Sequence, residues 1–129
     1  MAIDKKVLRS GPFADFIAQG VQVDNILYMS GQVGIDSEGK TPEDIGEQVK
    51  LAYENLKEVL TEFGIDMGNI VDETYFVTDM DALMSNVEDI YNAREEAYGG
   101  KPEVSQTVVQ VVALVQPKLK IEIKCIAHI

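Results

Sequence analysis

Two strand patterns split by a proline, between Lys101 and Cys125, constrain the fold more than any other part of the chain. Val104 to Val115 is almost all β-branched or apolar, which suits a strand buried on at least one face. Pro117 cannot donate to a ladder, so this strand should stop near Gln116. Leu119 to Ala127 then alternates apolar and polar residues, as a second strand does. Gln106, Gln110 and Glu122 lie inside these patterns. A polar side chain in a sheet needs a partner, or it faces a cleft.

The rest of the chain supplies strands and helices to match. Lys5 to Arg9 is a short candidate strand, and Ser10-Gly11-Pro12 marks a turn. Phe13, Phe16 and Ile17 follow with no clear period, as core or as the wall of a pocket. Ala18 to Val23 and Ile26 to Gln32 read as two strands joined by an Asp24-Asn25 turn. Gly31 inside a strand pattern signals a bulge or a close approach by another backbone or a ligand. Thr41-Pro42-Glu43-Asp44 reads as a helix start, with threonine as cap and proline at the first helical position. Apolar residues then recur at three- and four-residue steps from Ile45 to Phe63, and Gly64 supplies a left-handed end. Ile70 to Thr78 is a strand. Ala82 to Tyr98 is a second amphipathic helix, ended by Gly99-Gly100. The expected fold is α+β in one domain, 1–129, with a mixed sheet of about six strands and two helices on one face. The last strands carry apolar residues on both sides. With no helix left for the second face, self-association should cover it.

Composition excludes several classes of chemistry. A formal net charge of −11 disfavours nucleic acid, and Lys5, Lys6 and Arg9 form the only dense basic cluster. No apolar run approaches the ~20 residues of a membrane span, and the N-terminus lacks the apolar core of a signal peptide. A lone cysteine, Cys125, fits a reducing, cytoplasmic setting, and its alternation with Ile123 and Ala127 makes it a buried small hydrophobe. The glycines Gly31, Gly34 and Gly39 have the wrong spacing for a phosphate loop. One histidine and one cysteine, both near the C-terminus, offer no metal cluster and no triad. Glu122 has two readings. It is a solvated strand residue flanked by Lys120 and Lys124, or a desolvated carboxylate with a raised pKa, able to act as acid, base or water-orienting group.

Motifs across nearly the whole chain resemble one family. They are Gln19-Gly20, Tyr28-Met29-Ser30-Gly31-Gln32-Val33, Gln48 through Asn55-Leu56 to Phe63-Gly64, and Ile70-Val71 through Phe76-Val77-Thr78-Asp79-Met80. Pro102 before a strand, Lys120-Ile121-Glu122-Ile123 and Ile126-Ala127 complete the set. Together these resemble the Rid family, the reactive intermediate deaminases, also called the YjgF family. The resemblance implies a chorismate-mutase-like subunit in a homotrimer, with clefts between subunits. Active members of that family hydrolyse enamines and imines to keto acids and ammonia, without metal or organic cofactor. In them an arginine just after the proline holds the substrate carboxylate, as a bidentate guanidinium can. A glutamate on the last strand positions water. A tyrosine and backbone groups of the Ser-Gly-Gln segment complete the pocket.

Carried over residue by residue, Glu122 matches the glutamate, and Ser30, Gly31 and Gln32 match their segment. Phe16 falls near the tyrosine position without its hydroxyl. The arginine is missing. Counted forward from Pro102 its position is Val104, with Gln106 where a cysteine is frequent; counted back from Glu122 it is Thr107. Loss of such a charge-assisted contact costs roughly 1.5–3 kcal/mol. Three functional readings follow. The chain is a Rid-type trimer that binds or turns over a different small molecule; or an imine deaminase whose carboxylate clamp is another group, such as Lys101 or a neighbouring subunit's arginine; or a structural or regulatory trimer.

Overall fold

The computed structural model describes residues 2–129. Alternating apolar residues build one seven-stranded sheet. Its strands are β1 (Lys6–Leu8), β2 (Gly20–Val23), β3 (Ile26–Met29), β4 (Gln32–Val33), β5 (Ile70–Val77), β6 (Ser105–Gln110) and β7 (Ile121–His128). The spatial order is β1-β2-β3-β7-β5-β6, with β4 also paired to β7. The C-terminal strand is therefore central and antiparallel to β3, β4 and β5. β5 and β6 run parallel, which requires a crossover, and helices α2 (Met80–Ser85) and α3 (Val87–Tyr98) provide it. Helix α1 (Ile45–Glu62) packs beside α3 on the same sheet face. The α+β arrangement expected from the pattern is the one observed.

The core lies between this face and the helices. Leu27 and Met29 of β3, Tyr75 and Val77 of β5, and Ile121, Ile123, Cys125 and Ala127 of β7 are all buried there. They meet Val49, Ala52, Leu56 and Leu60 of α1. Gly64 and Gly99 take φ of +73° and +78° just past α1 and α3, as helix-ending glycines do.

Five boundaries differ from the pattern, each for a local reason. First, α1 starts at Ile45, not Pro42. The Asp44 carboxylate accepts from the Glu47 amide at 3.0 Å and caps the helix. Thr41 and Pro42 lie outside it, and the Pro42 carbonyl instead accepts from Gln48 Nε2. Second, the next helical segment begins at Met80 under an Asp79 cap and is split at Asn86, whose amide side chain donates to the Ala82 carbonyl at 2.7 Å. Third, β2 starts at Gly20, because the carbonyls of Ala18 and Gln19 accept from Ser30. Fourth, the strand Ile26–Gln32 is broken. Between the pairs Tyr28–Ile126 and Gln32–Ile123, four steps on one strand face three on β7, so one residue bulges at Met29–Gly31.

Fifth, the valine-rich strand ends at Gln110, well before Gln116. Its parallel partner β5 ends at Val77, whose carbonyl accepts from the Val111 amide. Beyond that point the run has no strand to pair with, and Val112 is fully exposed.

Candidate functional site

Alternation along the strands places Glu122, Lys124 and Ile126 of β7 on the face away from the helices. Phe76 of β5 and Val33 of β4 lie directly opposite Glu122. Thr74 pairs Lys124, and Tyr28 of β3 pairs Ile126. One strand further out, Ser105, Thr107 and Val109 of β6 pair Asp72, Thr74 and Phe76. No element of this chain packs over that face among the described residues, and Val7, Tyr28 and Val109 remain exposed on it.

The Glu122 carboxylate lies against Gly31 at the bulge. A Cβ built at Gly31 would stand 2.6 Å from Glu122 Cδ, so only glycine leaves the carboxylate where it is. The side chain is half-buried, and burial pushes its pKa above the usual carboxylate value while the Lys124 charge opposes the rise. No hydrogen bond or ion pair of the described residues reaches either carboxylate oxygen. Lys124 is tied elsewhere: its Nζ donates to the Met29 carbonyl at 2.7 Å.

Ser30, Gly31 and Gln32 come together beside Glu122, but two of the three side chains are already engaged. Ser30 Oγ donates to the Ala18 carbonyl at 2.6 Å, and buried Gln32 donates to Gln19 Oε1 and the Ser30 carbonyl. These bonds hold the loop before β2 against the bulge. Phe16 stands in that loop, 82% exposed.

The strand β6 divides the remaining candidates. Thr107 shares the face of Glu122. Val104 packs against the core cluster on the other side, and Gln106 points the same way. The parallel register with β5 is the physical reason, because it pairs Gln106 with buried Glu73 and Thr107 with Thr74. Val104 and Gln106 are therefore not brought together with Glu122.

A second buried carboxylate escaped the sequence reading. Glu73 is fully buried and receives hydrogen bonds from five residues on four elements, the longest of them from Cys125 Sγ of β7 at 3.9 Å. Tyr53 of α1 and Tyr98 of α3 each donate to Oε2 at 2.7 Å. Arg94 of α3 and Gln106 of β6 donate to Oε1 at 2.7 and 2.8 Å. Tyr75 Oη lies 2.6 Å from Tyr53 Oη, and Tyr91 donates to Gln106 Oε1. Burial first, and Glu73 among the lesser causes, drives the Tyr53, Tyr75 and Tyr98 phenols far above their ordinary value, so all three remain donors. Burial alone would lower the Arg94 pKa, but its bond and charge contact with Glu73 turn the net shift upward. The Glu73 oxygens are fully engaged, one buried guanidinium nitrogen of Arg94 has no partner among the described residues, and the cluster faces away from Glu122. Its signal in the sequence was a glutamate in step with Tyr75 and Val77 on a buried strand face.

Two shallow hollows lie elsewhere, near the start of α1. One is bordered by Asp36, Lys40, Glu47 and Lys50, the other by Asp44, Asp79, Asn86 and Lys120. Neither includes Glu122. Among the described residues no group of His, Cys, Asp or Glu is arranged to hold a metal, and no helix is long and apolar enough to cross a membrane.

Comparison with known proteins agrees with the fold. Residues 9–129 match the family described as Endoribonuclease L-PSP. The mouse protein named 2-iminobutanoate/2-iminopropanoate deaminase is 37% identical over 119 residues, covering 91% of this chain and 81% of its own. The crystal structure of the YjgF gene product of E. coli superposes with a TM-score of 0.82 at 28% identity, covering 95% of this chain and 98% of that one. The structure of E. coli TdcF with bound serine gives a TM-score of 0.76 at 26% identity, covering 99% and 98%.

Proposed function

The chain belongs to the Endoribonuclease L-PSP family, the YjgF or Rid group, and from that premise we propose that it binds a small molecule in a cleft centred on Glu122 and completed by a second subunit of a homotrimer. One observation carries this reading. Among the described residues, Glu122 presents a half-buried carboxylate without a partner, on a sheet face that no element covers. An apolar sheet face with such a group at its centre is a natural surface for a second copy and a ligand between them. Ser30, Gly31 and Gln32 form one wall, with Phe16 at its rim and Thr107 across the sheet.

The same reading holds that this is not an arginine-dependent 2-imino acid deaminase. The outward position on β6 nearest the expected clamp is Thr107, an uncharged residue. Arg94 is engaged by Glu73 on the opposite face, and Arg9 donates to the Ala14 carbonyl. No metal or organic cofactor enters the reading, and it places the protein in the cytoplasm, where a lone buried cysteine stays reduced.

A second reading is favoured by the name of the mouse relative: hydrolysis of an imine to a keto acid and ammonia, with Lys101 or a neighbouring subunit's arginine as clamp. Glu122 would then orient the attacking water. The deciding assay generates 2-iminobutanoate with an amino-acid oxidase and lets semicarbazide compete for it. The first reading expects no keto acid above the uncatalysed rate. Rapid formation that disappears in Glu122→Ala selects the second. Light scattering should give three times the 14.2 kDa chain mass, and a monomer would overturn the shared cleft.

A further inference from the structure

The charges around Glu122 bear on what the cleft can accept, given the reading above that a cleft exists there. Apart from exposed Lys101, which precedes β6, three cations of this chain come into question, and each has a hydrogen-bond partner. Lys124, the nearest along β7, donates to the Met29 carbonyl at 2.7 Å. Lys120, just before β7, donates to the Glu43 carbonyl at the start of α1. Arg94 is on the helix side, bonded to Glu73 at 2.7 Å. The neutral side chains Phe76, Val33, Thr74, Thr107 and Val109 flank Glu122 on β4, β5 and β6, with Asp72 further along β5 on the same face. The chain as a whole carries −11, and every added copy brings the same surplus, which disfavours anions near the assembly in general.

An anionic ligand would meet the Glu122 carboxylate with no free guanidinium to offset it, and with Lys124, whose charge already acts on Glu122, tied to a backbone carbonyl. A ligand with N–H donors meets the opposite situation. A partly desolvated carboxylate without a donor gains a charge-assisted hydrogen bond from an ammonium, iminium or imine N–H. Phe76, Val33 and Val109 then suit a short apolar substituent.

We propose that the Glu122 cleft takes a nitrogenous ligand that bears no carboxylate, an amine or a neutral or protonated imine, with its N–H directed at Glu122. This departs from an imino acid as ligand and names the chemical class that the missing clamp leaves in place. It rests on the cleft reading above, and the experiment below tells its failure from the failure of that reading.

A matched pair of probes tests it. The 15N-labelled assembly is titrated with n-butylammonium and, separately, with butanoate, and the amides of Ser30, Gly31 and Gln32 are followed by NMR. The expected result is saturable movement of these amides with butylammonium, at a dissociation constant at least about tenfold below that for butanoate. The preference should vanish in Glu122→Gln. Butanoate binding at the same amides as tightly or more tightly would overturn the ligand class and leave the cleft standing. Movement of these amides by neither probe would overturn the cleft as well. A preference for butylammonium that survives in Glu122→Gln would overturn the role of Glu122.

Discussion

Glu122 and Gly31 share one space: a Cβ built at Gly31 would overlap the carboxylate, 2.6 Å from Glu122 Cδ. The backbone at Gly31 is outside the left-handed region, so alanine is conformationally allowed there. The atoms it would meet are the far end of a flexible side chain, which can swing aside. Gly31→Ala should therefore fold, at a cost of about 1 kcal/mol in urea denaturation. Its effect falls on position: the Glu122 carboxylate is displaced, and butylammonium should no longer move the amides of residues 30–32.

The raised pKa of Glu122 makes a prediction about pH. A carboxyl that holds its proton more tightly when folded contributes stability fully below its ordinary value of 4.5, and that contribution fades as pH rises through the folded value. Glutamine has no such titration. Glu122→Gln should melt higher than the parent near about pH 7 and match it below about pH 4. Thermal melts across that range, without ligand, measure the difference. Equal curves at every pH would show that Glu122 is fully solvated.

Arg94 neutralises a carboxylate that water does not reach. Arg94→Leu leaves the buried Glu73 carboxyl with only neutral donors, and should cost about 3–5 kcal/mol. The double variant Glu73→Leu with Arg94→Leu removes both charges and should recover part of that loss, although Tyr53, Tyr98 and Gln106 then lose their shared acceptor. Urea denaturation of the two singles and the double completes the cycle. Strict additivity would argue against a coupled pair.

Thr107 and Val104 give opposite outcomes with the same substitution. Thr107→Arg places a guanidinium on the Glu122 face and should tighten butanoate by about tenfold, the lower end of what a charge-assisted bond supplies. Val104→Arg forces a charge towards the core cluster and should lose about 1–3 kcal/mol of stability without gaining butanoate affinity. NMR titration and denaturation together separate the two positions.

Much of the fold was legible because it is local. The apolar steps of α1, the left-handed glycines Gly64 and Gly99, and the burial of Cys125 in step with Ile123 and Ala127 all follow from period and residue type. The bulge at Gly31 was also foreseen from a glycine inside a strand pattern. The length of β6 was not legible, because it depends on where its parallel partner stops. The start of α1 was misplaced because two capping residues competed, and only geometry shows that Asp44 reaches the Glu47 amide.

The site was legible in part. Glu122 stood out as a glutamate inside an apolar strand pattern, the resemblance singled out the Ser30–Gln32 segment, and the structure places the two side by side. Which of Val104, Gln106 and Thr107 shares their face could not be read, since the tertiary register with β5 decides it. Glu73 was not singled out within the Ile70–Thr78 strand pattern. Only the alternation with Tyr75 and Val77 hinted that it is buried.

The Glu73 cluster also bears on how such a sequence can change over time. Four N–H and O–H donors converge on one carboxylate from α1, α3 and β6. Replacing the glutamate first strands the arginine, and replacing the arginine first strands the glutamate. Each single step crosses a trough in stability that the completed exchange does not. The glutamate, the arginine and their tyrosines should consequently be inherited, or discarded, as one unit among the relatives of this chain.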